Sequence, residues 1–326
     1  MFLRSLAKTS VACAYSWSGA YRWRPGAADS APFIVGYHRV VQSFGDCSRR
    51  SIPSMLISAS TFEKHLDWLG GRFNFVSLDD IGEHLENGRP FSRPAAAVTF
   101  DDGYADVYHN AFPVLKRKGI PAAVFVVTDL VGTRNVLLHD RLYASLATRD
   151  SNPLATMTQT LTRFPQHEVL RQLETRRAEP SEEDKQIDEC LPMSWEMIDE
   201  MSRSGISFGS HTRSHVLLTS ERLEDAADQL AASKNALETR LKRRVDHFAY
   251  PDGRYNRPIL NAVKAAGYRF AYTICGHRDP QFPLLTIPRK VLWENACVNA
   301  IGRFSPAVMR CQTAGVFDRQ GCEHVH

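Results

Sequence analysis

Asp101-Asp102-Gly103-Tyr104 follow directly on the apolar run of residues 95–100. Two adjacent carboxylates closing a strand of buried type are costly to place, because water stabilises each of them. On a continuing strand, neighbours point to opposite faces. Both can reach one site only if the strand stops there, and Gly103 supplies the freedom to turn. A second short strand-like run, residues 206–210, leads into His211-Thr212-Arg213-Ser214-His215. Two His four residues apart lie on one side of a helical turn or compact loop and can ligate one ion together. Taken singly, each half has an ordinary explanation. A strand can end in two solvated Asp, and a chain with twelve His throws up such pairs by chance. Together they offer two imidazoles and a carboxylate. Three protein ligands leave a coordination position open, which is the catalytic rather than the structural pattern for zinc-like metals.

The two segments Thr99-Phe100-Asp101-Asp102-Gly103 and Ser210-His211-Thr212-Arg213-Ser214-His215 resemble the first two motifs of the polysaccharide deacetylase family, the NodB-homology, carbohydrate esterase family 4-like proteins. Residues 34–40 (Ile-Val-Gly-Tyr-His-Arg-Val) resemble the opening strand of the exopolysaccharide-deacetylase branch. Residues 61–66, 75–80 and 118–126 fit its next units, and Phe248-Ala249-Tyr250-Pro251-Asp252-Gly253 fits the third motif. The likeness runs over residues 31–295.

That resemblance implies a fold and a division of labour. The fold is a distorted, incomplete (β/α) barrel of seven strands. Asp102, His211 and His215 would hold a divalent metal, zinc first, with cobalt, nickel or manganese as alternatives. Asp101 would stay off the metal and take a proton from water. A backbone N–H in Pro251-Asp252-Gly253 would stabilise the oxyanion. His38, at the end of the first strand, matches the branch's proton donor; its plainer reading is a core His bonded to backbone. His277 lies in a polar turn, and His324 and His326 in a terminal tail, so none of these serves well as the acid.

Two positions depart from the family pattern. Ala249 stands where many members carry an Arg supporting the catalytic carboxylate. Arg289, at the end of another strand-like run, could supply that guanidinium, or could be a surface Arg. Asp252 replaces an aromatic, leaving the backbone role but not side-chain contacts. Tyr250 and Trp293 could stack on sugar faces, although aromatics in strand patterns usually belong to the core.

Composition agrees with an α/β protein of this kind. The chain has 326 residues, 43% of them hydrophobic, a length at which α/β barrels occur as single domains. Strand-like runs at 33–40, 73–78, 95–101, 122–128, 206–211, 247–250, 269–275 and 284–292 alternate with helical patterns at 62–69, 111–118, 195–204, 222–241 and 257–266. Such alternation implies parallel strands with crossover helices. Asp101, His211 and Pro251 fall at C-terminal ends of strands, where barrel sites collect.

The predicted organisation is an N-terminal extension (1–30), a barrel (31–310) with an insertion (133–190), and a tail (311–326). The insertion is rich in charge and reads either as a solvated excursion or as a rim over the substrate groove. Residues 1–20 have an interrupted apolar centre that suits neither a secretory signal nor a membrane span. Leu3, Leu6, Ala7, Val11 and Ala14 recur at helical spacing, so this helix caps the domain or rests on an anionic membrane surface. The expected location is cytoplasmic or peripherally membrane-associated. Arg4, Lys8, Arg22 and Arg24 against Asp29 supply most of the net charge of +4, so the body is near neutral and no nucleic-acid surface is indicated. Seven Cys without a CxxC pair argue for free thiols, with Cys311 and Cys322 as the one plausible bridge. Cys322, His324 and His326 form a metal-like trio, but a chain end is a poor cage. No GxGxxG, P-loop or GxSxG element occurs.

These readings converge on a metal-dependent hydrolase that removes N-acetyl groups from N-acetylhexosamine units of an exopolysaccharide or related glycan. Two alternatives stay open: hydrolysis of a small non-sugar amide or imide, and a silent glycan-binding module.

Overall fold

Runs of Ala, Val and Phe buried on both faces form the wall of a parallel barrel. The computed structural model describes residues 2–19, 31–147, 149–175 and 190–318. Its strands are β1 (Phe33–Tyr37), β2 (Arg39–Val41), β3 (Leu56–Ser58), β4 (Asn74–Phe75), β5 (Ala95–Phe100), β6 (Ala122–Val126), β7 (Ser207–Ser210), β8 (His247–Ala249), β9 (Phe270–Thr273), β10 (Ile287–Pro288) and β11 (Lys290–Val291). The main sheet runs β10-β9-β8-β7-β6-β5-β1-β11, with β4 beside β5 and β2–β3 forming a separate pair.

The barrel nearly closes through one segment. Ile287–Pro288 pairs with β9, whereas Lys290–Val291 pairs with β1. The run read from sequence as a single strand over 284–292 therefore breaks at Arg289, and its halves join the two edges of the sheet. Counted once, that segment is the seventh stave. Alternation then separates inside from outside. Ala97, Ala123, Phe125, Ala249 and Tyr272 pack within the barrel, while Val98, Phe100, Val124, Val126 and Phe248 meet the outer helices.

The crossovers are helices: α2 (Ala59–Gly70), α3 (Leu78–Asn87), α4 (Phe112–Lys118), α5 (Leu138–Ala147), α6 (Pro153–Arg163), α7 (Gln166–Thr175), α8 (Trp195–Arg203), α9 (Leu223–Leu241), α10 (Arg257–Ala265) and α11 (Pro306–Thr313). The strand expected over 73–78 is present as the shorter β4, and α3 takes its last residue. The Ser77 side chain accepts from Asp80 N–H and Asp80 accepts from Ser77 N–H, a capping box that starts a helix at Leu78.

The N-terminal helix, α1 (Phe2–Trp17), packs on α11: Ala12 is fully buried against Val308 and Cys311. Lys8 Nζ donates to Ala296 O at 2.6 Å. Leu6, Val11 and Trp17 stay exposed. α11 runs through the boundary placed at 310. Cys322, His324 and His326 lie outside the described residues. Cys311 is a thiol, which excludes the Cys311–Cys322 bridge; Cys275 is disulfide-bonded, against the expectation of free thiols, and Cys13, Cys47, Cys190 and Cys297 form no disulfide.

Two buried polar groups give testable stability effects. Arg39 Nε donates to Asp106 Oδ2 at 2.7 Å, and its Nη1 donates to Ser51 Oγ at 3.0 Å. Burial pushes the Asp106 carboxyl up, and Arg39 and the Val40 N–H only partly offset this. Arg39→Met would strand that carboxylate. We expect about 2–3 kcal/mol of destabilisation by urea unfolding, below the usual range for a broken buried pair because the Val40 contact survives. An unchanged midpoint would show the pair to be of no net consequence.

His65 is fully buried; its Nδ1 accepts from Tyr37 Oη at 3.2 Å and its Nε2 has no partner. Burial pushes the imidazole down to about 3. The unfolded chain takes up this proton near 6.5, the folded one only near 3. Stability from this group is therefore intact above about pH 6.5 and falls by up to about 1.4 kcal/mol per pH unit on acidification. Unfolding at pH 7 and pH 4.5 should show a steeper acid loss for the wild type than for His65→Leu. Parallel curves would contradict it.

Candidate functional site

β5 ends at Phe100, and the turn is made by two consecutive left-handed residues, Asp102 (φ 72°) and Gly103 (φ 72°). A Cβ on Gly103 would sit 2.9 Å from Val126 Cγ1, so glycine is required for space as well as for its dihedral. Asp101 keeps the interior face that Thr99 occupies, while the reversal swings Asp102 to the barrel mouth. The same strain recurs nearby, because Thr212, His215 and Asp252 also have positive φ. Non-glycine residues hold such angles only where surrounding structure imposes them.

Asp101 and Asp102 have different neighbours. Arg289 Nη1 and Nη2 donate to Asp101 Oδ1 and Oδ2 at 2.7 and 2.8 Å, and Nη1 also donates to Thr99 Oγ1 at 3.1 Å. Both partners are buried, and the guanidinium lies over Phe125 and Tyr272. Burial alone would raise the Asp101 carboxyl, but Arg289 and then His211 hold it below its ordinary value. The break in the strand at 289 is what turns this side chain into the barrel.

Asp102 faces the imidazoles. His211 Nε2 and His215 Nε2 lie 3.4 and 3.1 Å from Asp102 Oδ1. His211 Nδ1–H donates to Ala249 O at 2.8 Å, which leaves the Nε2 lone pair toward Asp102. Residues 211–217 form a compact loop rather than a helical turn. Gln229 Oε1 accepts from the N–H groups of Arg213 and Ser214, and His215 N–H donates to Thr212 Oγ1. Neither carboxylate oxygen of Asp102 accepts a hydrogen bond, although both are buried. Burial would push this carboxyl up; the His215 and His211 imidazoles outweigh it and hold it well below the usual range. A buried carboxylate without hydrogen bonds, converging with two imidazole nitrogens, fits a cation. Ligand atoms of Asp102, His211 and His215 lie within 4.8 Å of one another, so this group could hold a metal ion.

The remaining candidates separate clearly. Asp101, Asp102, His211, His215, His38, Asp252 and Gly253 line one cavity of about 360 Å³. His38 Nδ1 is buried with no partner. In the third motif Pro251 has no N–H and Gly253 N–H donates to Tyr250 O, so the Asp252 N–H is the one left for a ligand. The Asp252 side chain accepts from Arg254 Nε at 2.6 Å. Trp293 reaches the cavity half-buried. Tyr250 is only 1% exposed and its hydroxyl donates to Leu285 O, which makes it core rather than a stacking platform.

Sequence reading missed His139. This residue opens α5 within the insertion, its Nε2 4.0 Å from Asp102 Oδ2 and 2.9 Å from Tyr104 Oη. The Tyr104 hydroxyl donates to Asp140 Oδ2 at 2.8 Å. Burial pushes the His139 imidazole down to about 3 and the Asp140 carboxyl up to about 6. The described part of the insertion packs over the site. Gln166 Nε2 donates to Ser214 O and Gln166 N–H to Glu221 Oε1, fastening α7 to the loop that carries both His. The acidic run Glu182, Glu183 and Asp184 lies outside the described residues.

A family sequence model described as polysaccharide deacetylase matches residues 88–271. YxkH of Bacillus subtilis (strain 168), a protein named as a polysaccharide deacetylase, is 23% identical over 221 residues, 68% of this chain and 59% of its own. The poly-beta-1,6-N-acetyl-D-glucosamine N-deacetylase of Staphylococcus aureus (strain MSSA476) is 29% identical over 115 residues, 33% of this chain and 39% of its own. The chain thus spans less than two thirds of the length of these relatives. IcaB from Ammonifex degensii superposes with a TM-score of 0.56 at 23% identity, covering 81% of this chain and 91% of that one. The Streptococcus pyogenes deacetylase PplD, solved in complex with acetate, gives 0.57 at 19% identity, covering 83% and 95%. Both share the distorted (β/α) barrel.

Proposed function

Because the chain belongs to the polysaccharide deacetylase family, we propose that it is a metal-dependent N-deacetylase acting on N-acetylhexosamine units of an exopolysaccharide or related glycan. The observation that carries this is the split between the two aspartates. Asp102 shares a buried ligand group with His211 and His215, while Asp101 is held off that group by a two-pronged pair with Arg289.

An amide needs an acidified water, stabilisation of the developing oxyanion, and a proton for the departing nitrogen. A divalent ion on Asp102, His211 and His215, zinc or alternatively cobalt, nickel or manganese, would acidify water and polarise the carbonyl. Asp101, kept ionised by Arg289, takes the proton from water. The Asp252 N–H donates to the oxyanion from the frame that Pro251 and Gly253 fix. His38, with a ring nitrogen free of protein partners on the same cavity, delivers a proton to the amine. Glycan binding alone calls for neither the ligand group nor the paired base.

The name of the Staphylococcus aureus relative makes N-acetylglucosamine oligomers the first substrates to try. Acetate release from them should vanish on exhaustive chelation and return with stoichiometric zinc. Release that survives metal removal would sink the metal role; glycan binding without release would favour a silent module. No helix among the described residues is long and apolar enough to cross a membrane. Peripheral contact through exposed Leu6, Val11 and Trp17 belongs to this reading, and co-sedimentation with anionic vesicles tests it.

A further inference from the structure

We propose that the substrate carries an alkyl chain, joined to the amino sugar through a neutral linkage, and that this chain fills the apolar half of the cavity. This rests on the deacetylase reading and narrows its substrate class. The cavity runs from the Asp102, His211 and His215 group to a wall contributed by the insertion. Met157, Leu161 and Phe164 come from α6 and the residue that follows it, and Leu217, Ile274 and Trp293 from loops at the barrel mouth. Thr158 and Thr162 on this wall donate their hydroxyls back to Leu154 O and Thr158 O, so sugar hydroxyls placed against Met157 and Leu161 would lose water for few partners. The part of the substrate that suits this wall is hydrocarbon.

Charge decides the linkage. Asp101, Asp102, Glu221 and Asp252 line the cavity, and among the described residues no Lys or Arg does. Arg289 and Arg254 are taken up by Asp101 and Asp252, so a phosphate joining sugar to lipid would find no further cation on the described lining, and the chain attaches as a glycoside or through the amide itself. The wall is also held in place, since Gln166 bonds Ser214 and Glu221 beside the His loop.

The test compares metal-loaded enzyme on methyl and octyl N-acetylglucosaminides, and on N-acetyl and N-octanoyl glucosamine, below micellar concentrations. Each buried methylene is worth up to about fourfold, so one octyl or octanoyl arm should gain at least about tenfold in kcat/KM. A gain with the octyl glycoside makes the chain the aglycone; a gain with the octanoyl amide makes it the departing acyl group. Leu161→Asn and, separately, Met157→Gln should shrink the octyl-to-methyl ratio. Calorimetric binding of the octyl and methyl glycosides gives a readout independent of turnover. Ratios near one in turnover and binding, with metal-dependent acetate release intact, overturn the alkyl chain and leave the deacetylase reading standing. A rise in kcat/KM with oligomer length instead would make the cavity a saccharide groove and the proposal wrong. No release from any of these substrates or from the oligomers overturns both readings.

Discussion

Asp101→Asn is expected to retain its metal and to lose about 10³-fold in kcat, within the span typical of a missing general base. The substitution leaves the Asp102, His211 and His215 group untouched, because Asp101 points to Arg289 and not into that group. Asn still offers Arg289 one acceptor, but its amide N–H₂ faces the second guanidinium prong, so a lower unfolding temperature should accompany the loss. Metal content by mass spectrometry, together with kcat on the folded fraction, separates the two effects. His211→Ala provides the contrast: it removes a ligand and should lose metal and turnover together. Near-normal kcat in Asp101→Asn would assign the proton to another group, with His38 next in line on the same cavity.

Much of this site could be read from sequence because strands of a parallel barrel end where the chemistry is. Asp101, His211 and Pro251 follow apolar runs, and the runs end at one rim of the barrel. The parts that could not be read depend on distance along the chain. Arg289 was a candidate for that guanidinium, but a surface Arg was the equal alternative: it comes 188 residues after Asp101, and it points inward only because its segment splits between β9 and β1. Nothing in the run 284–292 marks that split; Pro288 weakens a strand without saying where its neighbour turns. His139 was hidden differently. It sits among residues whose charge suggested a solvated insertion, and only packing of α5 against the mouth brings it to Asp102. The capping box at Ser77 and Asp80, by contrast, is a local signal that the apolar run before it obscured: β4 stops at Phe75 and α3 starts at Leu78. Local hydrogen bonding chose the helix there.

Arg289→Met is expected to cost about 3–5 kcal/mol, the range for removing one partner of a buried ion pair. The guanidinium is fully enclosed, and its loss leaves Asp101 and Thr99 Oγ1 without their donor. A second consequence follows from the sign of the Asp101 shift. Burial pushes that carboxyl up and Arg289 is the largest of the influences pulling it down, so without Arg289 its pKa rises. Asp101 works ionised, and activity is lost as pH falls through its pKa. The acid limb of kcat/KM should therefore move to higher pH in Arg289→Met, with the alkaline limb in place. Arg289→Lys restores a charge but not the two-pronged geometry, so its acid limb should lie between those of Met and the wild type. A merely structural Arg would change the unfolding midpoint and leave the acid limb of the surviving enzyme where it was. If both variants kept the wild-type limb, Arg289 would be holding the barrel closed at β10 and β11 and not tuning the base.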